Sequence, residues 1–211
     1  MLLYLVRHGE TDWNLAHRIQ GTTDVSLNRT GRAQARTAGR LLAQRQWIAI
    51  VASSLSRARD TASIIAAELG LPEPTTLDAL MERNYGSAEG LTYSEIDARF
   101  PGDTPVPGRE TREEVVERVM PALLHLAETR RDQSVIVVTH GGVIRSLLNV
   151  IDPHGRHPKI TNGSIHSFRH EDGAFALIAF DDPIIDESLE AATDDLEVQN
   201  AVEAREAAEP A

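Results

Sequence analysis

The chain alternates between short runs that are apolar almost throughout and longer stretches in which apolar residues recur every three or four positions. Residues 2–6, 47–52 and 134–139 are of the first kind, and such runs predict strands buried on both faces of a largely parallel sheet. Helical spacing covers residues 30–45 after the turn at Asn28, 57–69 ahead of Gly70 and Pro72, and 110–129. Strands alternating with helices predict an α/β fold. Residues 166–169 and 175–180 flank Glu171-Asp172-Gly173, an expected antiparallel hairpin that makes the sheet mixed. A short helix is expected over 92–100, followed by Pro101, Gly102, Pro105, Pro107 and Gly108. That stretch reads equally well as a functional loop or as a plain connection. With no repeat and no second domain in the pattern, residues 1–182 form a single expected domain. Residues 183–211 are an acidic tail, expected to be mobile or loosely docked.

Composition narrows the function classes. Among 211 residues, 41% are hydrophobic and none is cysteine, so disulfides, thiolate zinc sites, iron–sulfur clusters and cysteine nucleophiles are excluded together. No apolar stretch approaches the ~20 residues of a bilayer span, and no basic leader precedes the first strand; the expectation is a cytoplasmic protein without membrane contact. The net charge of -11 is uneven, because residues 181–211 hold eleven Asp and Glu against Arg205 alone. The body is almost neutral and lacks the footprint of a nucleic-acid binder, while leaving room for a local cationic pocket.

Candidate chemistry sits where strands end. Arg7-His8-Gly9-Glu10-Thr11 follows the first strand, Thr139-His140-Gly141-Gly142 follows the strand over 134–139, and Ser53 to Arg59 follows the strand ending near Ala52. In an open α/β sheet, ligands bind outside the carboxyl ends of strands, so these three ends are expected to meet in one site. Free amides at Gly141-Gly142 would face an anion at a helix start. Arg57, in the first turn of a helix, opposes the helix dipole unless an anion is bound. Two imidazoles, two guanidiniums and amide donors make a receptor for a phosphoryl group. The nucleophile would then be a histidine, kept neutral by neighbouring cations, and those cations disfavour a metal.

These motifs resemble the histidine phosphatase superfamily, also called phosphoglycerate mutase-like proteins. The likeness runs from Arg7 to Thr11 through Asn14, Gln20-Gly21, Asp24, Leu27 and Gly31, then Ser54 to Thr61, Glu82 to Gly90 and Thr139 to Gly142. It implies a three-layer sandwich with a central, mostly parallel mixed sheet flanked by helices. It also implies that His8 is phosphorylated, that Arg7, Arg57 and His140 hold the phosphoryl oxygens, and that Asn14, Gln20, Gly21 and Gly141 line the pocket. Glu82 is then the proton donor and later the base for water, with Glu89 and Asp78 as competitors; no metal and no cofactor are expected. Thr11 and Ser56 are expected to cap or support rather than react.

Arg83 and Tyr85 are similar to the mutase pattern, in which they contact phosphoglycerate. Against a mutase, residues 91–108 are short and hold Arg99 alone against Glu95, Asp97 and Asp103, a charge unsuited to retaining a bisphosphorylated acid. The expected function is therefore a phosphomonoester hydrolase acting through phosphohistidine on a small phosphorylated metabolite. A phosphoglycerate mutase and a phospho-ligand or phosphoprotein-binding module are the alternatives, and a homodimer is left open. His154 and His157 are expected to be solvated, and Asn162-Gly163-Ser164 to return near the pocket.

Overall fold

A computed structural model describes residues 1–131 and 133–184. Its elements in chain order are β1 (Leu2–Arg7), α1 (Asp12–Leu15), α2 (Arg29–Leu42), β2 (Ala49–Ser53), α3 (Ser56–Leu69), β3 (Thr75–Leu77), α4 (Tyr93–Arg99), α5 (Arg112–Thr129), β4 (Ser134–Thr139), α6 (Gly141–Ile151), β5 (Ile165–Glu171) and β6 (Ala174–Ala179). The sheet order is β3-β2-β4-β1-β5-β6. The first four strands are parallel, while β5 runs antiparallel to β1 and β6 antiparallel to β5. Asp172 and Gly173 both have positive φ, 51° and 80°, the backbone that a tight two-residue hairpin demands.

The central strands read as unbroken apolar runs because each of their faces meets a helical layer. Leu3, Leu5, Val135 and Val137 point into a core with α5 and α6. Tyr4, Val6, Ile136 and Val138, one residue out of step, point into a second core with α2 and α3. Three layers result. The domain boundary expected at 182 falls short of the second core, where Ile184 is wholly buried and Asp182 N–H donates to Ile165 O at 2.8 Å. The rest of the expected tail lies outside the described residues. Among those described, no helix is long and apolar enough to cross a membrane.

The edge strand β3 and the one-turn α1 were not expected from the sequence. Both are too short to show a period, and α1 exists because Thr11 caps it: its hydroxyl accepts from Asn14 N–H, and Asn14 Oδ1 accepts from Thr11 N–H.

Candidate active site

Three adjacent strands deliver the site. In the register, Arg7 lies beside Thr139 and Ala52 beside Val138, so the residues that follow β1, β2 and β4 emerge at one edge. His8 N–H donates to Thr139 O at 3.0 Å, and the His8 and His140 rings lie 5.1 Å apart. A cavity of about 510 Å³ opens there, within the range of small-molecule sites. Arg7, His8, Asn14, Gln20, Gly21 and Arg57 line one part of it; Glu82, Arg83, Tyr85 and Gly141 line another. His140 is the one expected site residue that forms none of the wall. It is fully buried behind His8.

His8 has a fixed tautomer. Its Nδ1 lies 2.7 Å from Gly9 O, and a carbonyl oxygen only accepts, so Nδ1 carries the proton and Nε2 keeps its lone pair. The ring is held neutral: burial lowers its pKa well below the usual 6.5, and Arg7 and Arg57 lower it further. The sequence reading credited the cations alone; removal from water is the larger cause. His140 is shifted the same way, by burial first and then by Arg57, His8 and Arg7. Ser53 Oγ accepts from Leu55 N–H and sits 2.8 Å from His140 Nε2. If Ser53 gives its own proton to Nε2, His140 Nδ1 becomes a buried donor without a partner.

Both guanidiniums are held by backbone carbonyls. Arg57 is wholly buried and donates to Thr23 O at 2.9 Å and Gly21 O at 2.6 Å, Arg7 donates to Ile160 O at 2.7 Å, and the Nε of each has no partner. Neither takes part in an ion pair within 4.0 Å among the described residues. A buried charge left unpaired is strongly destabilising, so these two are positioned for an anion. Burial lowers the pKa of each, with Glu82 acting in the opposite sense.

Two sequence expectations about helix starts need correction. Gly142 N–H is not free, because it donates to Glu82 Oε2 at 3.0 Å while Arg83 N–H donates to Oε1 at 2.8 Å. The dipole cost at Arg57 is offset within the protein, since Asp24 Oδ1 accepts from both Ser56 N–H and Oγ–H at the start of α3. Ser56 and Thr11 are thus supporting groups, as expected. The same contacts decide among the carboxylates. Glu89 is tied up by Thr22, Thr23 and Tyr85; burial pushes its carboxyl up, but these bonds outweigh burial and hold it below the usual range. Asp78 is exposed and lines no part of the cavity. Of the three carboxylates weighed from the sequence, Glu82 is the one that lines the cavity together with His8.

Several residues were missed. Arg112, Arg145, Lys159 and Glu10 also line the cavity. Arg112 stands first in its helix, the signal that had singled out Arg57. The charge of residues 91–108, used against a mutase, does not set the cavity's charge, because Tyr93 is the only residue of that segment in the wall. Asn162 does return, donating to His8 O at 3.0 Å and Asn14 Oδ1 at 3.2 Å. His154 is exposed as expected, but His157 is not solvated: its side chain pairs with Asp152 at 3.0 Å and stacks on Phe180. Among the described residues, no group of three His, Asp or Glu side chains is arranged to hold a metal.

The family model of the histidine phosphatase superfamily (branch 1) matches residues 3–183. The chain belongs to that superfamily. It is 42% identical over 164 residues to the uncharacterized phosphatase PhoE of Bacillus subtilis, covering 76% of this chain and 84% of the relative. It is 38% identical over 167 residues to a 2,3-bisphosphoglycerate-dependent phosphoglycerate mutase of Methylobacterium, covering 72% and 80%. A solved mycobacterial glucosyl-3-phosphoglycerate phosphatase, in complex with VO3, superposes with a TM-score of 0.76 at 31% identity over 85% of this chain and 98% of that one. The superfamily match and the phosphatase relatives place this member among the phosphoric monoester hydrolases.

Proposed function

We propose that the protein hydrolyses a small phosphorylated metabolite through a phosphohistidine on His8, without a metal. The observation that carries this reading is the bare Nε2 of a neutral, buried His8 beside two guanidiniums that form no ion pair within 4.0 Å among the described residues. Arg7 and Arg57 grip the phosphoryl oxygens, and His8 Nε2 attacks phosphorus opposite the leaving oxygen. Glu82, protonated for this step, gives that oxygen its proton, so that alcohol departs and a phosphorus–nitrogen bond remains. A water then loses a proton to Glu82 and attacks phosphorus, which releases orthophosphate and returns His8 to its starting state. Donors fixed in advance around the transferring group lower the barrier as charge shifts toward the leaving oxygen.

The test is phosphate release from a panel of phosphomonoesters in excess EDTA, with His8→Ala as control. Release that survives EDTA and disappears in the variant supports the reading; wild-type turnover by His8→Ala overturns it. The mutase reading keeps one observation in its favour, the presence of Arg83 and Tyr85 in the cavity wall. Interconversion of 3- and 2-phosphoglycerate faster than phosphate release would establish it.

A further inference from the structure

Glu82 stands in backbone that belongs to no strand or helix. β3 ends at Leu77 and a single 3₁₀ turn covers Asp78–Leu80, after which the chain runs irregularly through Asn84. A proton donor on such a segment keeps its place only if groups from outside fix the backbone beneath it.

Arg118, in the second turn of α5, uses all five of its N–H donors for this. Nη1 donates to Ala79 O at 2.8 Å and to Met81 O at 2.9 Å, and Nη2 donates to Glu82 O at 3.2 Å. The remaining two hydrogens go to Glu110, from Nε to Oε1 at 2.7 Å and from Nη2 to Oε2 at 3.0 Å. Thr139 Oγ1 donates to Leu80 O at 2.9 Å, so the four consecutive carbonyls of residues 79–82 are taken by side chains of α5 and β4. Glu110 holds the other side of Glu82. Its Oε2 accepts from Asn84 N–H at 3.0 Å, its own N–H donates to Asn84 O at 2.8 Å, and its carbonyl accepts from Arg83 Nε at 2.5 Å. Burial pushes the Glu110 carboxyl up, but the bonds from Arg118 and Asn84 N–H outweigh burial and hold it below the usual range, so the pair is ionised. Neither Arg118 nor Glu110 lines the cavity that holds His8. The Glu82 carboxylate reaches away from both, to Gly142 N–H and Arg83 N–H.

We propose that Arg118, locked to Glu110, is a positioning residue for the proton donor: it pins the backbone on both sides of Glu82 so that the carboxyl group meets the leaving oxygen. This rests on the hydrolase reading, in which Glu82 protonates that oxygen. Arg118 itself touches neither the ester nor His8.

Two variants test it. Arg118→Met removes the donors and keeps a stem of similar bulk, while Arg118→Lys keeps the charge but replaces the planar fork with a point ammonium. Each is compared with wild type on glycerol 3-phosphate, whose alkoxide must be protonated as it leaves, and on p-nitrophenyl phosphate, whose leaving group needs little help. In both variants kcat on glycerol 3-phosphate is expected to fall roughly ten- to a hundredfold, with KM within about twofold and the p-nitrophenyl phosphate kcat within about threefold. A residue that served stability alone would lower both esters alike. Hydrogen exchange at Gly142 gives a second readout, free of turnover. This amide lies in the first turn of α6 and has no intrahelical acceptor, so its protection reports the Glu82 bond; exchange roughly fivefold faster or more is expected in both variants. Equal losses on the two esters, an alkyl-ester kcat within twofold of wild type, or an unchanged Gly142 exchange rate overturns the brace. Wild-type protein that releases no phosphate from either ester marks failure of the hydrolase reading instead, and exchange at Gly142 then still decides whether Arg118 holds Glu82. If Arg118→Met does not fold, Arg118→Lys carries both measurements.

Discussion

Gly142→Ala separates catalytic geometry from stability. A Cβ at this position would lie 2.5 Å from Glu82 Oε1 and 3.1 Å from Tyr85 Oη. Ordinary contact begins near 3.4 Å, so the carboxylate must retreat by about 0.9 Å, the difference between 3.4 and 2.5 Å. Its bond from Gly142 N–H, now 3.0 Å, is then lost or stretched. A displacement of about 1 Å in a group that transfers a proton costs on the order of 10²-fold in rate. The same substitution favours the helix, since alanine is better than glycine by up to about 1 kcal/mol in a helix interior. The expected result is a kcat reduced roughly a hundredfold on an alkyl ester such as glycerol 3-phosphate, a much smaller loss on p-nitrophenyl phosphate, whose leaving group needs little protonation, and a melting temperature unchanged or raised. Steady-state kinetics on both esters with a thermal melt would show this. If the two esters lose activity equally, or the alkyl ester keeps kcat within twofold, Glu82 is not the proton donor that its position indicates.

Other outcomes follow from the same geometry. Orthophosphate at a hundred times its Kd should stabilise the fold by about 2.7 kcal/mol, a rise of roughly 5–10 °C seen by differential scanning fluorimetry, and Arg57→Gln should remove the rise. Glu89→Gln, which weakens the clamp on Thr22 and Thr23, should raise KM while leaving the pH profile of kcat in place; a shifted profile would instead make Glu89 the titrating acid. Burial holds the pKa of His166 at about 4 in the folded protein, below the 6.5 of a free imidazole, so this histidine's contribution is present above pH 6.5 and is lost as pH falls toward 4. By pH 4 the loss is about 3 kcal/mol, and His166→Gln should flatten the melting temperature's dependence on pH in that window. For the same reason, protonation of His8 should not limit kcat/KM near pH 6.5; the acid limb from this group belongs well below that.

Much of the fold was legible because the long elements carry strong periods. β1 and β4 read as unbroken apolar runs since both their faces are covered, and α2, α3 and α5 were found by spacing and by caps such as Asn28 and Gly70. The convergence of Arg7, His8, Arg57 and His140 was legible because each lies at or just after the end of a strand, where topology alone brings residues together. Further cations of the cavity wall were not legible. Arg145 and Lys159 lie on a helix face and in a loop whose approach to His8 depends on how α6 packs and where residues 152–160 turn, and neither is encoded in local spacing. The partner of the Gly142 amide was hidden likewise, because Glu82 reaches it across sixty residues.

Ile184 sets a limit on how far the chain can be trimmed. It adopts a positive φ of 58°, a left-handed backbone that a β-branched residue enters only at a cost, and its side chain has no exposure to solvent in the core beneath Tyr4 and Ile50. A protease cutting just ahead of it would leave a hole under the sheet worth about 2–5 kcal/mol, the penalty of emptying a buried aliphatic site. Trimmed forms that have lost this isoleucine should therefore be the ones that melt early and are cleared first.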